Sequence, residues 1–405
     1  MMKQYDVEIF LFIDALGWEL VKRTGFMEKE LPFRRRIEMQ FGYSSTAIPT
    51  ILSGRTPAEH GHLGLFRFAP ESSPFRPLGW LAPLMKPESF WNRGRVRHIL
   101  SRVIGRLYGF TGYFQLYQMP FRKLAMMDYC EKRDLFARGG MEPVENLRDL
   151  LIRLRVDGHI SDWHIGDRRN FEAARRAVSA GTPFLFVYTA ELDALLHRYP
   201  ILLHDRIREK VDWYRSQILS LFQLCREEKK NLRLTVISDH GMTPLTHTED
   251  LRSAIEKCGL TFGKDYGACY DSTMLRVTFL KPEAEPVIRD AVKPFEDSGH
   301  WLTEAEEKRY GIYRSDRCFG DAIFLMNPGV QIAPSDMGAQ ALNGMHGFAP
   351  EDKDSQAVIL STDEIPDDIR RVADYFRLMK RRIEELASAR RTNKPNVKPE
   401  SGVVS

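Results

Sequence analysis

Four apolar runs along the chain each break off at a polar residue: VEIFLFID (7–14), PFLFVYTAELD (183–193), LRLTVISDH (232–240) and the weaker AVILST (357–362). Continuous Val/Ile/Leu/Phe runs of this length are what parallel strands need when both faces of their sheet are covered. Between the runs, apolar residues recur every three or four positions, as over 203–229, which predicts helices. Strand followed by helix, several times over, predicts an α/β fold, a doubly wound and mostly parallel sheet with helices on both faces. In such sheets ligands sit beyond the carboxyl ends of the strands, so the acids and histidines that end these runs stand where a site would form.

The stretch 66–140 breaks this rhythm and is rich in aromatics and in Arg and Lys. It is expected to be an inserted cap over the site, which leaves 1–65 and 141–387 as the core. A second, smaller α+β insertion is expected at about 260–335, with strands at 273–280 and 321–326. The tail, 388–405, lacks apolar periodicity and is expected to be disordered. Within the cap, residues 93–108 place Val96, Ile99, Leu100, Val103, Ile104 and Leu107 on one side and arginines on the other. That is an amphipathic helix, expected to turn its apolar side to the core, with peripheral contact to an anionic membrane as the other reading.

Composition narrows the classes. Fifty-nine Lys and Arg against 55 Asp and Glu leave a net charge of +4 over 405 residues, too little to imply nucleic acid as a partner. Cys130, Cys225, Cys258, Cys269 and Cys318 lie far apart with no CxxC pair, which argues against a disulfide framework and against a thiolate zinc site. A reducing compartment suits them. The chain opens without a basic-then-apolar leader, and no stretch reaches about 18 apolar residues, so no membrane-spanning helix is predicted and the cytoplasm is the expected location.

The chemistry rests on a few positions. Asp14 ends the first run and precedes Ala-Leu-Gly, where a carboxylate serves either as a hard metal ligand or as a helix cap. Ser44, Ser45 and Thr46 precede a helical pattern that ends near Gly54. Hydroxyls at a helix N-terminus cap it, or sit where anions are stabilised. Asp193 and His197, four apart in ELDALLHRY, share one helix face and make either an ion pair or two ligands. Asp239 and His240 stand together after a buried strand, a costly placement unless compensated. His346 lies between glycines that let the backbone approach closely. Taken jointly, three Asp and three His form two mixed oxygen and nitrogen sites of the kind that suits zinc, manganese or iron. Two such cations roughly 4 Å apart clamp the attacking and leaving oxygens of an in-line phosphoryl displacement.

In this order, FLFIDALGW, GYSSTAIPTILSGRTPAEHG, ELDALLHRY, VISDHGM and GMHGF resemble the alkaline phosphatase superfamily, in its branch of type I phosphodiesterases and nucleotide pyrophosphatases. The resemblance spans roughly the first 350 residues. It implies an alkaline-phosphatase-like fold with two divalent metal ions, zinc foremost. One would be held by Asp193, His197 and His346, the other by Asp14, Asp239 and His240. The nucleophile, Ser44 with Thr46 as second choice, would bridge both while Ser45 supports with its backbone N–H. Two departures stand out. Where nucleotide pyrophosphatases carry an Asn about twenty residues after the nucleophile, this chain reads Leu65-Phe66-Arg67-Phe68, so Arg67 is expected as an oxyanion donor or as a solvated cap residue. The Cys/Ser-x-Pro-x-Arg motif of sulfatases is missing.

The expected function is a phosphoesterase acting on a phosphodiester or pyrophosphate of a small molecule, nucleotide-like or lipid-linked, through a covalent phospho-Ser or phospho-Thr intermediate. The competing readings are a phosphotransferase or phosphomutase using the same intermediate, and a non-catalytic module that binds nucleotides or lipid phosphates.

Overall fold

The computed structural model describes residues 5–199 and 204–392. A six-stranded sheet runs through the middle, formed by β1 (Val7–Ile13), β2 (Phe33–Ile37), β3 (Gly158–Ile160), β4 (Phe184–Thr189), β5 (Leu232–Ile237) and β6 (Ala357–Ser361), in the order β2-β6-β5-β1-β4-β3. Strands β5, β1, β4 and β3 are parallel. The run at 357–362, expected as another parallel strand, is antiparallel to both β5 and β2. An all-apolar run reports that both faces are covered and is silent on direction, which is why the sequence misled here. Strand β2, Phe-Arg-Arg-Arg-Ile, carries no such signal. Only its last residue is buried, and the three arginines line a sheet edge, where charge discourages pairing with another chain.

The pleat sends alternate residues to opposite faces. Ile9, Leu11 and Ile13 of β1 join a core closed by helices Gly166–Ser179 and Asp205–Glu227, while Phe10 and Phe12 join another closed by helices Leu147–Leu154 and Asp374–Thr392. Glu8 breaks the alternation. It is fully buried against the Arg233 guanidinium, 2.5 Å away, and burial raises its carboxyl to about 7 despite that partner. Helix Asp374–Thr392 runs past 388, where the apolar periodicity fades; the rest of the expected disordered tail, 393–405, lies outside the described residues.

A separate antiparallel sheet, ordered Tyr266–Tyr270, Met274–Phe279, Ala322–Met326 and Gly299–Trp301, occupies the 260–335 region. The 66–140 segment packs around Phe75, Phe114 and Tyr129, and Cys269 of the antiparallel sheet joins that cluster. Its ends are stitched by a pairing of Phe66–Phe68 with Met127–Tyr129. Helix Gly94–Leu107 lies on its outside and departs from expectation. Ile104 is buried, but Ile99, Val103 and Leu107 face solvent, and the inward face instead carries Arg97, Ser101 and Gly105. No helix among the described residues is long and apolar enough to cross a membrane.

Candidate metal centre and active site

Strands β1, β4 and β5 end side by side, and the site forms just beyond them, at the carboxyl edge of the sheet. Asp14 follows β1 directly. Its backbone N–H donates to the Thr189 carbonyl at the end of β4, and the next N–H, that of Ala15, donates to Asp239 Oδ1. Asp239 and His240 follow β5 after Ser238, both essentially buried. The turns after the two strands touch: a Cβ on Gly17 would fall 2.5 Å from the Gly241 Cα, so only glycine fits the crossing.

Asp193 and His197 come from helix Glu191–Arg198, which opens right after β4. Asp167, a residue the sequence did not flag, anchors that opening. Its buried carboxylate accepts the N–H groups of Ala190 (3.0 Å) and Glu191 (3.4 Å) and the Tyr214 hydroxyl (2.5 Å), with the Lys210 ammonium 3.0 Å away. His346 follows the short strand Gly344–Met345. Its ring stacks on His240, with centroids 3.6 Å apart and planes at 12°, and meets Tyr43 edge-on.

Ser44 is the first residue of helix Ser44–Ser53, and its Oγ lies 3.1 Å from His240 Nε2. The structure separates it from Thr46. Thr46 is fully buried, its hydroxyl oxygen facing the Gly64 N–H at 3.4 Å, and it does not reach the cavity that Ser44 and Ser45 line. Arg67 is not brought to the site either. Its guanidinium is held by buried Asp128 at 2.7 Å across the cap pairing, so its charge is already matched there.

Two groups of side chains place their ligand atoms within 4.8 Å of one another: Asp14, Asp239 and His240, and Asp193, His240 and His346. His240 belongs to both. His197, expected in the second group, stands beside it with Nε2 3.3 Å from Asp193 Oδ1. The donors are prepared in a way that suits cations. His197 and His240 each give an Nδ1–H to a backbone carbonyl, of Gly344 and Gly241, both at 2.8 Å, which turns their Nε2 atoms toward the acids. Asp14 Oδ1, Asp193 Oδ1 and Asp239 Oδ2 are buried without any hydrogen-bond donor. Buried carboxylate oxygens without donors are costly unless a cation compensates them. Three in one cage beside imidazole lone pairs make a donor set that fits two divalent ions.

The electrostatics show the same strain. Burial, then the neighbouring charges of Asp239 and Asp193, hold the Asp14 carboxyl well above the usual carboxylate range. Burial pushes Asp193 the same way, but the facing His197 and then His240, both raised by the acids around them, outweigh it and keep Asp193 ionised. His346 is pressed well below the ordinary imidazole value by burial and then by His240, so it stays neutral, as a ligand must.

A cavity of about 510 Å³ opens from Ser44, Asp14, Asp193 and His346. The cap contributes Tyr113 and Tyr117, whose hydroxyls meet at 2.6 Å, together with Glu131 and Phe136; the core contributes Trp163 and Tyr188. Burial alone raises Glu131 to about 8. No Arg or Lys among the described residues lines this cavity. The arginines and lysines of the cap, Arg67 among them, thus stand elsewhere. Tyr113 and Tyr117 were visible in the sequence as cap aromatics; Glu131, Trp163 and Tyr188 carried no signal there, because only the fold brings them to one wall.

Residues 9–349 match the family model described as type I phosphodiesterase / nucleotide pyrophosphatase. No curated protein matches the chain in sequence. In three dimensions the chain is similar to human ectonucleotide pyrophosphatase/phosphodiesterase 5, with a TM-score of 0.65 and 12% identity over 94% of this chain and 95% of that one. It is likewise similar to the murine protein of that name, with a TM-score of 0.63 and 13% identity over the same shares, solved as an inactive variant in complex with AMP.

Proposed function

Because the chain belongs to the type I phosphodiesterase / nucleotide pyrophosphatase family of the alkaline phosphatase superfamily, we propose that it hydrolyses a phosphodiester through Ser44, with two divalent metal ions held by Asp14, Asp239 and His240 and by Asp193, His346 and His197. The observation that carries this reading is the junction of the two ligand groups with the Ser44 hydroxyl at the mouth of one cavity.

Two bound cations, zinc foremost, would supply the positive charge that lets the Ser44 hydroxyl lose its proton near neutral pH and that offsets charge on the phosphate oxygens. Ser44 Oγ then bonds to phosphorus as the bond to the departing alkoxide breaks, and the alkoxide takes a proton from water. Water attacks the phosphoserine in turn, freeing the phosphoryl product and restoring the hydroxyl. A phosphoryl group bonded to Ser44 would lie at the N-terminus of helix Ser44–Ser53, where its oxygens would accept from the Ser45 N–H.

The cavity wall selects among the reactions open to such a site. A phosphomonoester dianion or a charged sugar phosphate, as a phosphomutase would hold, calls for Arg or Lys beside the metals. Here the wall offers Tyr113, Phe136, Trp163 and Tyr188 instead. A diester carries a single negative charge and a second organic substituent, which these rings and the neighbouring Leu135 and Leu342 would cover. AMP in the murine relative marks a nucleotide-sized occupant for that protein, and a nucleotide or lipid-linked diester suits the size and character of this wall. The five unpaired cysteines support residence in a reducing compartment, which cell fractionation would check.

The test is release of p-nitrophenol from bis(p-nitrophenyl) phosphate and from p-nitrophenyl phosphate with Zn²⁺ or Mn²⁺ added. Turnover of the diester should exceed that of the monoester. Preference for the monoester, or turnover of neither, would overturn the reading.

A further inference from the structure

The outer face of the cap has no role in the chemistry just described, yet it is built unlike the rest of the surface. In helix Gly94–Leu107, residues Ile99, Val103 and Leu107 are 61%, 50% and 74% exposed. Spaced four apart, they form one stripe along the helix. Arg95, Arg102 and Arg106 run along the flank of that stripe, all exposed and, among the described residues, without an ion-pair partner. Earlier in the cap, Trp80 and Leu84 are 70% and 65% exposed. Over 74–108 the chain carries seven Arg and Lys against one acid, Glu88, although the whole protein is nearly balanced.

A helix whose apolar residues face a core would bury this stripe. Here the inward face is already filled: Arg97 donates to the Met119 carbonyl, Ser101 Oγ accepts the Leu116 N–H, and Ile104 packs with Phe114 and Tyr129. The exposed stripe is therefore surplus to folding. Large exposed apolar side chains bordered by cations match the two attractions of an anionic bilayer, its acyl boundary and its charged headgroups. A nucleic acid would use the arginines but leave Ile99, Val103 and Leu107 in water, and a second copy of this chain would bring arginine against arginine.

We infer that this cap face docks on anionic lipid membranes, with Ile99, Val103 and Leu107 entering the headgroup boundary and Arg95, Arg102 and Arg106 pairing with lipid phosphates. The same cap segment also supplies Tyr113, Tyr117 and Glu131 to the cavity. The inference does not depend on the catalytic reading.

The experiment is flotation of the full chain with vesicles of phosphatidylcholine alone and of phosphatidylcholine mixed with an equal part of phosphatidylserine. The protein should float with the anionic vesicles and remain behind with the neutral ones. Raised salt, or a combined Ile99→Ser, Val103→Ser and Leu107→Ser variant, should reduce the floated fraction at least tenfold. These residues are exposed, so the variant should keep the thermal midpoint and the turnover of bis(p-nitrophenyl) phosphate. Failure to float with anionic vesicles, or flotation that the variant leaves unchanged, would overturn the inference. So would light scattering that shows a dimer which the variant dissociates, or tighter binding to a DNA duplex than to the vesicles. An inactive protein that still floats would instead sink only the catalytic reading.

Discussion

His240 and His346 lie face to face, their ring centroids 3.6 Å apart and their planes 12° from parallel, so one imidazole borders both groups of ligand atoms. Loss of that ring touches both candidate ions. His240→Ala should therefore lower bound zinc more than His197→Ala does, since His197 stands beside one group only. Elemental analysis of the purified variants decides this, and equal losses would show that His240 is not shared.

Ser44 and Thr46 separate by what each side chain faces. Ser44→Ala should lower diester turnover on the order of 10³-fold or more while metal content holds. Thr46→Ala should keep turnover and cost about 1–3 kcal/mol of stability, because a buried hydroxyl and the N–H it faces lose each other. Turnover and denaturant midpoints measured on both variants test the assignment, and the opposite pattern would make Thr46 the nucleophile.

Asp167 acts through the helix that carries Asp193 and His197. Asp167→Ala removes the acceptor for two N–H groups at that helix start and leaves half-buried Lys210 with Glu191 as its one remaining carboxylate. A cost of about 3 kcal/mol is expected, in the range for breaking a buried pair, together with weaker metal binding. Asp167→Asn, which still accepts, should restore part of both. Zinc titrations beside melting curves read the two effects separately, and loss of stability with unchanged zinc affinity would confine Asp167 to folding.

Glu131 makes stability fall as pH rises. Its carboxyl is raised from the ordinary 4.5 to about 8 by burial, so between those values the folded chain holds a proton that the unfolded chain has released. The contribution is fully present below 4.5 and gone above 8. Glu131→Gln mimics the protonated form and should behave like wild type at pH 5 and be more stable at pH 9, by up to about 4 kcal/mol. Denaturation at the two pH values compares them, and a constant difference between wild type and variant would show that Glu131 does not titrate in that window.

Much of this site was legible because strand ends are. The apolar runs 7–13, 184–189 and 232–237 each deliver an acid or histidine at the point where a parallel sheet places its ligands, and the i, i+4 spacing of Asp193 and His197 survives into helix Glu191–Arg198. What the pattern lacked was direction and partnership. AVILST reads the same in a parallel or an antiparallel strand. Arg67 looked free because its partner, Asp128, is distant in sequence and joined to it only by the cap pairing. Periodicity in 93–108 identified a helix but not which arc of it faces inward, and Arg97, Ser101 and Gly105 took the arc that hydrophobicity alone would have denied them. Glu131 and Trp163 came to line the same cavity as Ser44 through tertiary packing, which leaves no mark on local sequence.

The contact between Gly17 and Gly241 makes one mechanical part of two loops. A Cβ on Gly241 would fall 2.1 Å from the Asp354 carbonyl oxygen, so the crossing is clamped from a third side as well. Asp14 stands three residues before Gly17 and Asp239 two before Gly241, so the backbone at both acids is tied to this fixed point. The backbones that carry the two carboxylates are thus held like the arms of a caliper, which would set the span offered to a cation.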